Sequence, residues 1–237
     1  MTVSVARRSL ESGQQSFSGS AHNTTVGLCH SATPGAGVSV VLKRAMDVLI
    51  SAVLLLVLAP VSVATALAIK MTSAGPVFFR QRRYGLGNGQ FTILKFRTMF
   101  THAADASGVN QTRNGDPRVT PLGRFLRRTN IDELPQLINV LQGDMSLVGP
   151  RPHVPGMRAG GMMYEALVPS YFERHHVRPG LTGLAQINEL RGSTADAKFA
   201  KARIAYDLAY VEHWSLLLDL RILWTTLKTE VLRGTGN

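Results

Sequence analysis

Residues 48–69 read VLISAVLLLVLAPVSVATALAI, 22 consecutive positions without a charge between Asp47 and Lys70. As a helix rising about 1.5 Å per residue, the run would extend roughly 33 Å, nominally enough to cross a bilayer. A buried core helix is the competing reading, and the length weighs against it. The run begins too late for a signal peptide, and no small-residue cleavage site follows it. Its flanks decide its path. Lys43 and Arg44 precede it, and Lys70, Arg80, Arg82 and Arg83 follow it. Basic residues favour the cytoplasmic face, and one straight crossing cannot place both flanks there. Pro60, mid-run, removes a backbone donor and bends any helix. Together these features predict a re-entrant helix that enters, breaks near Ala59-Pro60 and returns to the same face, with a single span as the alternative. Ser62 and Thr65 stand where they could satisfy backbone groups freed by the break.

The whole chain fits that start. Of 237 residues, 45 % are hydrophobic and 17 % charged, and the mean hydropathy is +0.06. A mainly disordered chain is excluded, and some surface is expected to face lipid. Lys and Arg outnumber Asp and Glu by 26 to 15, a net charge of +11. The expected partner is anionic: nucleic acid, phospholipid headgroups or a phosphorylated substrate. Cys29 is the sole cysteine, which excludes an intramolecular disulfide and fits a reducing compartment.

Residues 1–40 are polar, lack an apolar period and read as a disordered tail. Residues 41–72 form the membrane segment, and 73–237 a cytoplasmic domain. Val77–Arg83 and Phe91–Arg97 read as strands, joined by the hairpin turn Gly85-Leu86-Gly87-Asn88-Gly89. Residues 101–118 are a polar loop. A helical period runs through Ile131, Leu134, Ile138 and Leu141. Gly149–Gly183 is dense in Pro and Gly and reads mostly as ordered loop. Lys198–Leu232 is helical, with Tyr206, Tyr210, Trp214 and Leu217 on one face. That stripe suits either a membrane interface or a core. The expected class is α+β and membrane-associated: a kinked re-entrant helix, a small helical catalytic domain with a short β-hairpin, and amphipathic interfacial helices.

Chemistry concentrates in Leu126-Arg127-Arg128-Thr129-Asn130-Ile131-Asp132-Glu133-Leu134-Pro135-Gln136. Pro135 fits the first turn of a helix that starts near Asp132. Orphan N–H groups, the helix dipole and Arg127 with Arg128 would then keep Asp132 ionised. Such a site suits an anion, above all phosphate. Ordinary capping is the alternative, with Asn130 and Glu133 as a capping box. Adjacent carboxylates diverge by about 100° around a helix. They are a poor glycosidase pair and a better nucleophile with a Mg²⁺ ligand beside it. Lys95 and Arg97 end the second strand, Arg151 sits between two prolines, and Arg178 precedes Pro179-Gly180. Singly these are solvated charges; together on rigid backbone they make a pyrophosphate site. The seven histidines lack metal-ligand spacing, which argues against zinc. The glycine-rich turn matches neither a P-loop nor a dinucleotide fingerprint.

From Lys43 to Leu232 the chain resembles the bacterial sugar transferase family, the monotopic phosphoglycosyl transferases. Seven motifs in order carry the resemblance. They are Lys43-Arg44-Ala45-Met46-Asp47, Gly75-Pro76-Val77-Phe78-Phe79-Arg80-Gln81, Lys95-Phe96-Arg97-Thr98-Met99 and Asp116-Pro117-Arg118-Val119-Thr120. Asp132-Glu133-Leu134-Pro135-Gln136, Gly143 through Pro152, and Arg178-Pro179-Gly180-Leu181-Thr182-Gly183 complete them. The resemblance implies a re-entrant helix in the bacterial inner membrane, with the catalytic domain facing the cytoplasm. It implies a reaction between a UDP-sugar and polyprenyl (undecaprenyl) phosphate, releasing UMP, as the first membrane step of exopolysaccharide assembly. It makes Asp132 the nucleophile and Glu133 the Mg²⁺ ligand. Arg127, Arg151 and Arg178 become phosphate contacts, with Lys95 and Arg97 near the same site. Membrane lipids are expected partners and a homodimer is one option. Two departures stand out: Ala59-Pro60 replaces a common Ser-Pro, and Glu189 stands where relatives commonly carry Gly. A small, catalytic-core version is expected, without the multi-span N-terminal region of the longest relatives. Which hexose is transferred is open, glucose and galactose leading. A non-catalytic membrane-surface scaffold is the alternative function. No motif for recognising nucleic acid is found.

Overall fold

The computed structural model describes residues 36–103, 112, 115–190, 192 and 194–233. Of the expected tail, residues 1–35 lie outside that range, as does much of the polar loop. Helix α1 (Ala36–Val57) already begins inside the segment read as tail. Helix α2 (Ala59–Thr72) follows after Leu58 alone, with Pro60 in its first turn. The two are bent by 61°, because Pro60 has no N–H to continue the ladder. Hydrogen bonding resumes on either side: Leu58 N donates to Leu54 O and Ser62 N to Leu58 O, both at 2.9 Å. Among the described residues no single helix is long and apolar enough to cross a membrane. The bent pair has the length and composition of a broken span or a re-entrant loop. Its outer surface is apolar and bare, with Leu56 77 % and Met71 86 % exposed.

The face of α1 opposite to that surface is polar and docked. Lys43 Nζ lies 2.6 Å from Asp219 Oδ2 and 3.2 Å from the Val148 carbonyl. Arg44 donates Nη1 to Val140 O at 2.7 Å and Nη2 to Leu141 O at 2.9 Å. Asp47 Oδ1 accepts from Leu147 N at 3.1 Å. These basic flank residues are therefore engaged by protein. Ile69 of α2 is buried with Phe96 and Leu126, which fixes the second helix.

Strands β1 (Phe78–Tyr84) and β2 (Gln90–Phe96) form the expected hairpin, paired from Phe78↔Phe96 to Tyr84↔Gln90. A 3₁₀ turn over Leu86–Asn88 joins them. Gly87 and Asn88 there take left-handed φ of 59° and 65°. Helix α3 (Pro121–Arg128) starts at Thr120, whose hydroxyl accepts from Gly123 N at 2.8 Å. Helix α4 (Gln136–Gln142) leads into β3 (Ser146–Val148).

The Pro/Gly-rich region carries more structure than expected. It holds β4 (Arg158–Ala159), β5 (Met162–Met163), α5 (Tyr164–Leu167) and a 3₁₀ helix over Tyr171–His176. Then comes β6 (Gly180–Thr182), which pairs in parallel with β3. Gly149 and Gly180 meet back to back, so that a Cβ on Gly180 would collide with Gly149 N. Helix α6 (Leu184–Ile187) precedes Glu189, whose φ of 61° is the conformation a glycine would take freely.

The C-terminal helical region is two helices, α7 (Ala197–Glu212) and α8 (Leu216–Arg233). The stripe is divided: Tyr210 and Trp214 pack into the core, whereas Leu217 is exposed. Tyr210 is 1 % exposed and packs with Ile93, Leu137, Val140, Met145, Leu147, Val148 and Ile222. Trp214 follows α7, and its Nε1 donates to Asp219 at 3.1 Å. The exposed apolar face lies on α8 instead, at Leu217, Leu220, Trp224 and Leu227.

Lys43→Met leaves the buried Asp219 carboxylate without its cation, a change that costs about 3–5 kcal/mol. The thermal midpoint in detergent should fall by about 10 °C, while exposed Lys201→Met leaves it in place. An unchanged midpoint for Lys43→Met would mean that the pair does not hold α1 on the domain.

Candidate active site

The site begins where α3 ends. Asn130 takes φ 55°, a left-handed residue that turns the chain sharply. A 3₁₀ turn over Ile131–Glu133 follows. Ile131 and Leu134 pack onto the cluster of Ile69, Phe96 and Leu126, so that Asp132 and Glu133 are presented on a braced turn. The α-helix starts only at Gln136, with Pro135 flanking it, four residues later than expected. The capping box does not form. Asn130 makes no side-chain cap, and the Glu133 carboxylate turns to two cations.

Lys95 Nζ sits 2.7 Å from Glu133 Oε1 and 3.9 Å from Asp132 Oδ2. Arg151 binds Glu133 in fork geometry, Nη2 to Oε1 at 2.5 Å and Nη1 to Oε2 at 3.2 Å. Arg127 anchors its Nε on Thr98 Oγ1 at 2.8 Å. Its charge acts on Asp132, as do those of Lys95 and Arg151. Lys95, Arg127 and Arg151 are thus brought together with the carboxylate pair.

Arg97 and Arg178 make their hydrogen bonds outside this cluster. Arg97 closes the exit of α2, donating to Ser73 O at 2.7 Å, Ser73 Oγ at 2.9 Å, Thr101 Oγ1 at 2.7 Å and the Ala74 carbonyl. Arg178 Nε donates to Gly143 O at 2.9 Å. Both spend donors on backbone at a loop or helix end, a use that residue type alone does not reveal.

One cation escaped the sequence reading. Arg83 donates Nη1 to Pro152 O at 3.0 Å and braces itself on Gln81 Oε1. Burial, then the charge of Arg151, bring its pKa down to about 10 against the opposing pull of Glu133. Strand alternation held the signal: Gln81 and Arg83 share a hairpin face with Ile93 and Lys95, whereas Arg80 and Arg82 face the other way.

The two carboxylates are unlike. Burial raises the pKa of Glu133, but Arg151 and Lys95, through charge and hydrogen bonds, outweigh it and hold the group far below the usual range. Asp132 shifts the other way. Burial is the chief cause, the Glu133 anion adds to it, and Lys95, Arg127 and Arg151 compensate only in part. The expected lowering of the Asp132 pKa fails for a physical reason. A three-residue 3₁₀ turn carries little dipole, and the nearest cations are already committed to Glu133.

Among the described residues no group of three or more His, Cys, Asp or Glu could hold a metal ion. Both Glu133 oxygens already accept from Lys95 or Arg151, so Mg²⁺, which takes one or two protein carboxylates and fills its shell with water and phosphate oxygens, would have to share them.

Residues 38–233 match the profile of a family described as bacterial sugar transferase. The chain is 55 % identical over 196 residues to an exopolysaccharide production protein, PSS, of Rhizobium leguminosarum bv. phaseoli, covering 83 % of this chain and 98 % of that one. It is 50 % identical to an undecaprenyl-phosphate glucose phosphotransferase of Komagataeibacter xylinus, covering 80 % of this chain and 36 % of that one. It is 46 % identical to the UDP-glucose:undecaprenyl-phosphate glucose-1-phosphate transferase of Escherichia coli (strain K12), covering 82 % and 41 %. The chain thus spans nearly all of one relative and well under half of the other two. With the family profile running from the start of α1 to the end of α8, the chain belongs to the bacterial sugar transferases.

Proposed function

We propose that the protein transfers a hexose-1-phosphate, glucose first among candidates, from a UDP-sugar to undecaprenyl phosphate and releases UMP. The observation that carries this reading is the pair of unlike carboxylates, one neutralised by two cations and the other buried beside it. The names of the relatives support the donor and the acceptor. The Asp132 oxygen attacks the sugar-bearing phosphorus of the donor. The bond from that phosphorus to the bridging oxygen breaks, and UMP leaves with the electron pair. An oxygen of the lipid phosphate then attacks the same phosphorus, breaking its bond to Asp132 and restoring the carboxylate. Two successive displacements give ping-pong kinetics.

Arg151, Lys95 and Arg127 stabilise charge on the transferring phosphoryl group, where most of the catalysis arises. Mg²⁺, held by Glu133 with Asp132 beside it, would supply further neutralisation of the diphosphate when bound. The bare apolar faces of α1, α2 and α8 support contact with lipid, the domain lying on the cytoplasmic side of the bacterial inner membrane. Lipid phosphate then reaches Asp132 along the membrane plane. A scaffold without activity would account for the apolar faces but not for the buried, charge-matched pair.

Purified protein in detergent with Mg²⁺ should release UMP from UDP-glucose faster than from UDP-galactose or UDP-N-acetylhexoses, dependent on undecaprenyl phosphate. Asp132→Asn should reduce release by about 10³-fold or more. No release from any donor by folded protein would sink the transferase reading.

The acid limb of kcat/KM tests the charge assignment. As pH falls, Asp132 is protonated first and the nucleophile is lost, so the limb should lie above the ordinary aspartate value of about 3.9. Glu133→Gln removes the neighbouring anion that raises Asp132 and should move whatever limb remains downward. A wild-type limb at or below the ordinary value would contradict the assignment.

A further inference from the structure

The reaction as described leaves three features unused: the glycine-rich hairpin turn, the adjacent histidines at 175 and 176, and Asp207 in α7. Arg174 connects them. Its side chain is 1 % exposed, and its donors are shared among several elements. Nε and Nη2 both donate to Asp207 Oδ2, at 3.0 and 2.7 Å. Nη2 also donates to the backbone carbonyl of Arg151 at 2.6 Å. Nη1 lies 3.4 Å from His175 Nε2, and the guanidinium carbon stands 5.5 Å from the centre of the Tyr171 ring.

The proton positions follow. Arginine only donates, so His175 Nε2 must accept, and the neutral ring carries its proton on Nδ1. That proton points at Asn88 Oδ1, 2.6 Å away. Asn88 is held in the left-handed region, beside Gly87, by the turn. The arrangement requires a neutral imidazole. Burial, then the charges of Arg174 and His176, bring the His175 pKa down to about 3.

The segment these groups converge on is the mount of Arg151. The carbonyl of Arg151 is taken by Arg174, that of Pro152 by Arg83 at 3.0 Å and that of His153 by Tyr84 N at 2.9 Å. Two prolines fix φ on either side of Arg151. Backbone anchoring of this kind sets where the guanidinium fork stands, and a displacement of about 1 Å in a phosphate clamp can cost about 10²-fold in rate.

We infer that Asn88, His175, Arg174 and Asp207 form a positioning chain that runs from the hairpin turn to the backbone of Arg151 and fixes its fork on Glu133 and on the transferring phosphate. This rests on the reading of Arg151 as a phosphate contact. None of the four touches substrate; they act through Arg151. The hairpin turn thereby gains a use that its lack of a nucleotide fingerprint concealed.

The test uses His175→Phe, His175→Gln and Arg174→Lys, each in the wild-type and Arg151→Ala backgrounds. Two readouts are taken: kcat/KM for UMP release against pH, and carboxyl ¹³C NMR titration of the Asp132–Glu133 pair. His175→Phe and Arg174→Lys should lower kcat/KM by about 10–100-fold. Both should move the carboxylate titration upward, because a loosened Arg151 no longer holds it down. His175→Gln, which keeps an acceptor for Arg174 and a donor for Asn88, should stay within about threefold of wild type. In the Arg151→Ala background none of them should shift the titration further.

Should His175→Phe fail to fold, Asn88→Gly removes the exposed end of the chain without straining the turn and carries the same expectations. Folded variants that leave both readouts unchanged would overturn the inference. So would an upward shift of equal size with Arg151 absent. The titration needs no turnover, so a wild-type protein that used no donor would defeat the transferase reading while still deciding the positioning chain.

Discussion

Glu133 is a carboxylate largely shielded from water and shared by two cations, and the shape of the site follows from keeping it there. An unpaired anion at that position would cost several kcal/mol. Three segments therefore have to arrive together: the end of β2 with Lys95, the 3₁₀ turn with Glu133, and the proline-flanked segment with Arg151. Asp132 inherits its character from the same contact. Its neighbour has claimed Lys95 and Arg151, so Asp132 is buried with less compensation and binds its proton more tightly. One cation-rich site thus yields two carboxylates of opposite tendency, the pattern that separates a reacting group from a supporting one.

The bent helix pair is bound into that arrangement. Lys43, Arg44 and Asp47 occupy the docked face of α1 and reach the end of α4 and the β3 strand. Helix α4 follows directly on the carboxylate turn, and β3 leads within three residues to Arg151. At the other end of the pair, Arg97 seals the exit of α2 two residues beyond Lys95. The apolar surface and the charged site are therefore joined at both ends of the helical pair by side chains that bind backbone.

What could be read beforehand was periodic or compositional. The uncharged run with a central proline marked the bend, strand alternation around a glycine-rich turn marked the hairpin, and the adjacent acids marked the turn where the cations gather. What escaped depended on backbone conformation or on distant carbonyls. The left-handed Asn130 replaces an α-helix start by a 3₁₀ turn, and an asparagine there reads equally as an ordinary helix cap. The protein partners of Lys43 and Arg44 could not be read beforehand because they lie about a hundred residues or more away. The backbone bonds of Arg97 and Arg178 could not be read from residue type, because a guanidinium serves a carbonyl as readily as an anion. Tyr210 sits on a stripe that fits core and interface equally, and only its bond to Asp219 settles the matter. Glu189 departs from glycine in residue type, yet keeps a glycine-like φ.

The contact between Lys43 and Asp219 spans 176 positions of sequence. Synthesis proceeds from the N-terminus, so α1 emerges long before α8 exists to receive it. Until then the Lys43 ammonium has no carboxylate to meet, while the Arg44 bonds to α4 become available once residue 141 has been made. The seat on α4 therefore needs a much shorter stretch of chain than the lock on α8, which depends on a contact of high sequence separation. A chain without α8 would hold its bent apolar helix pair on half a seat, with Lys43 lacking its carboxylate.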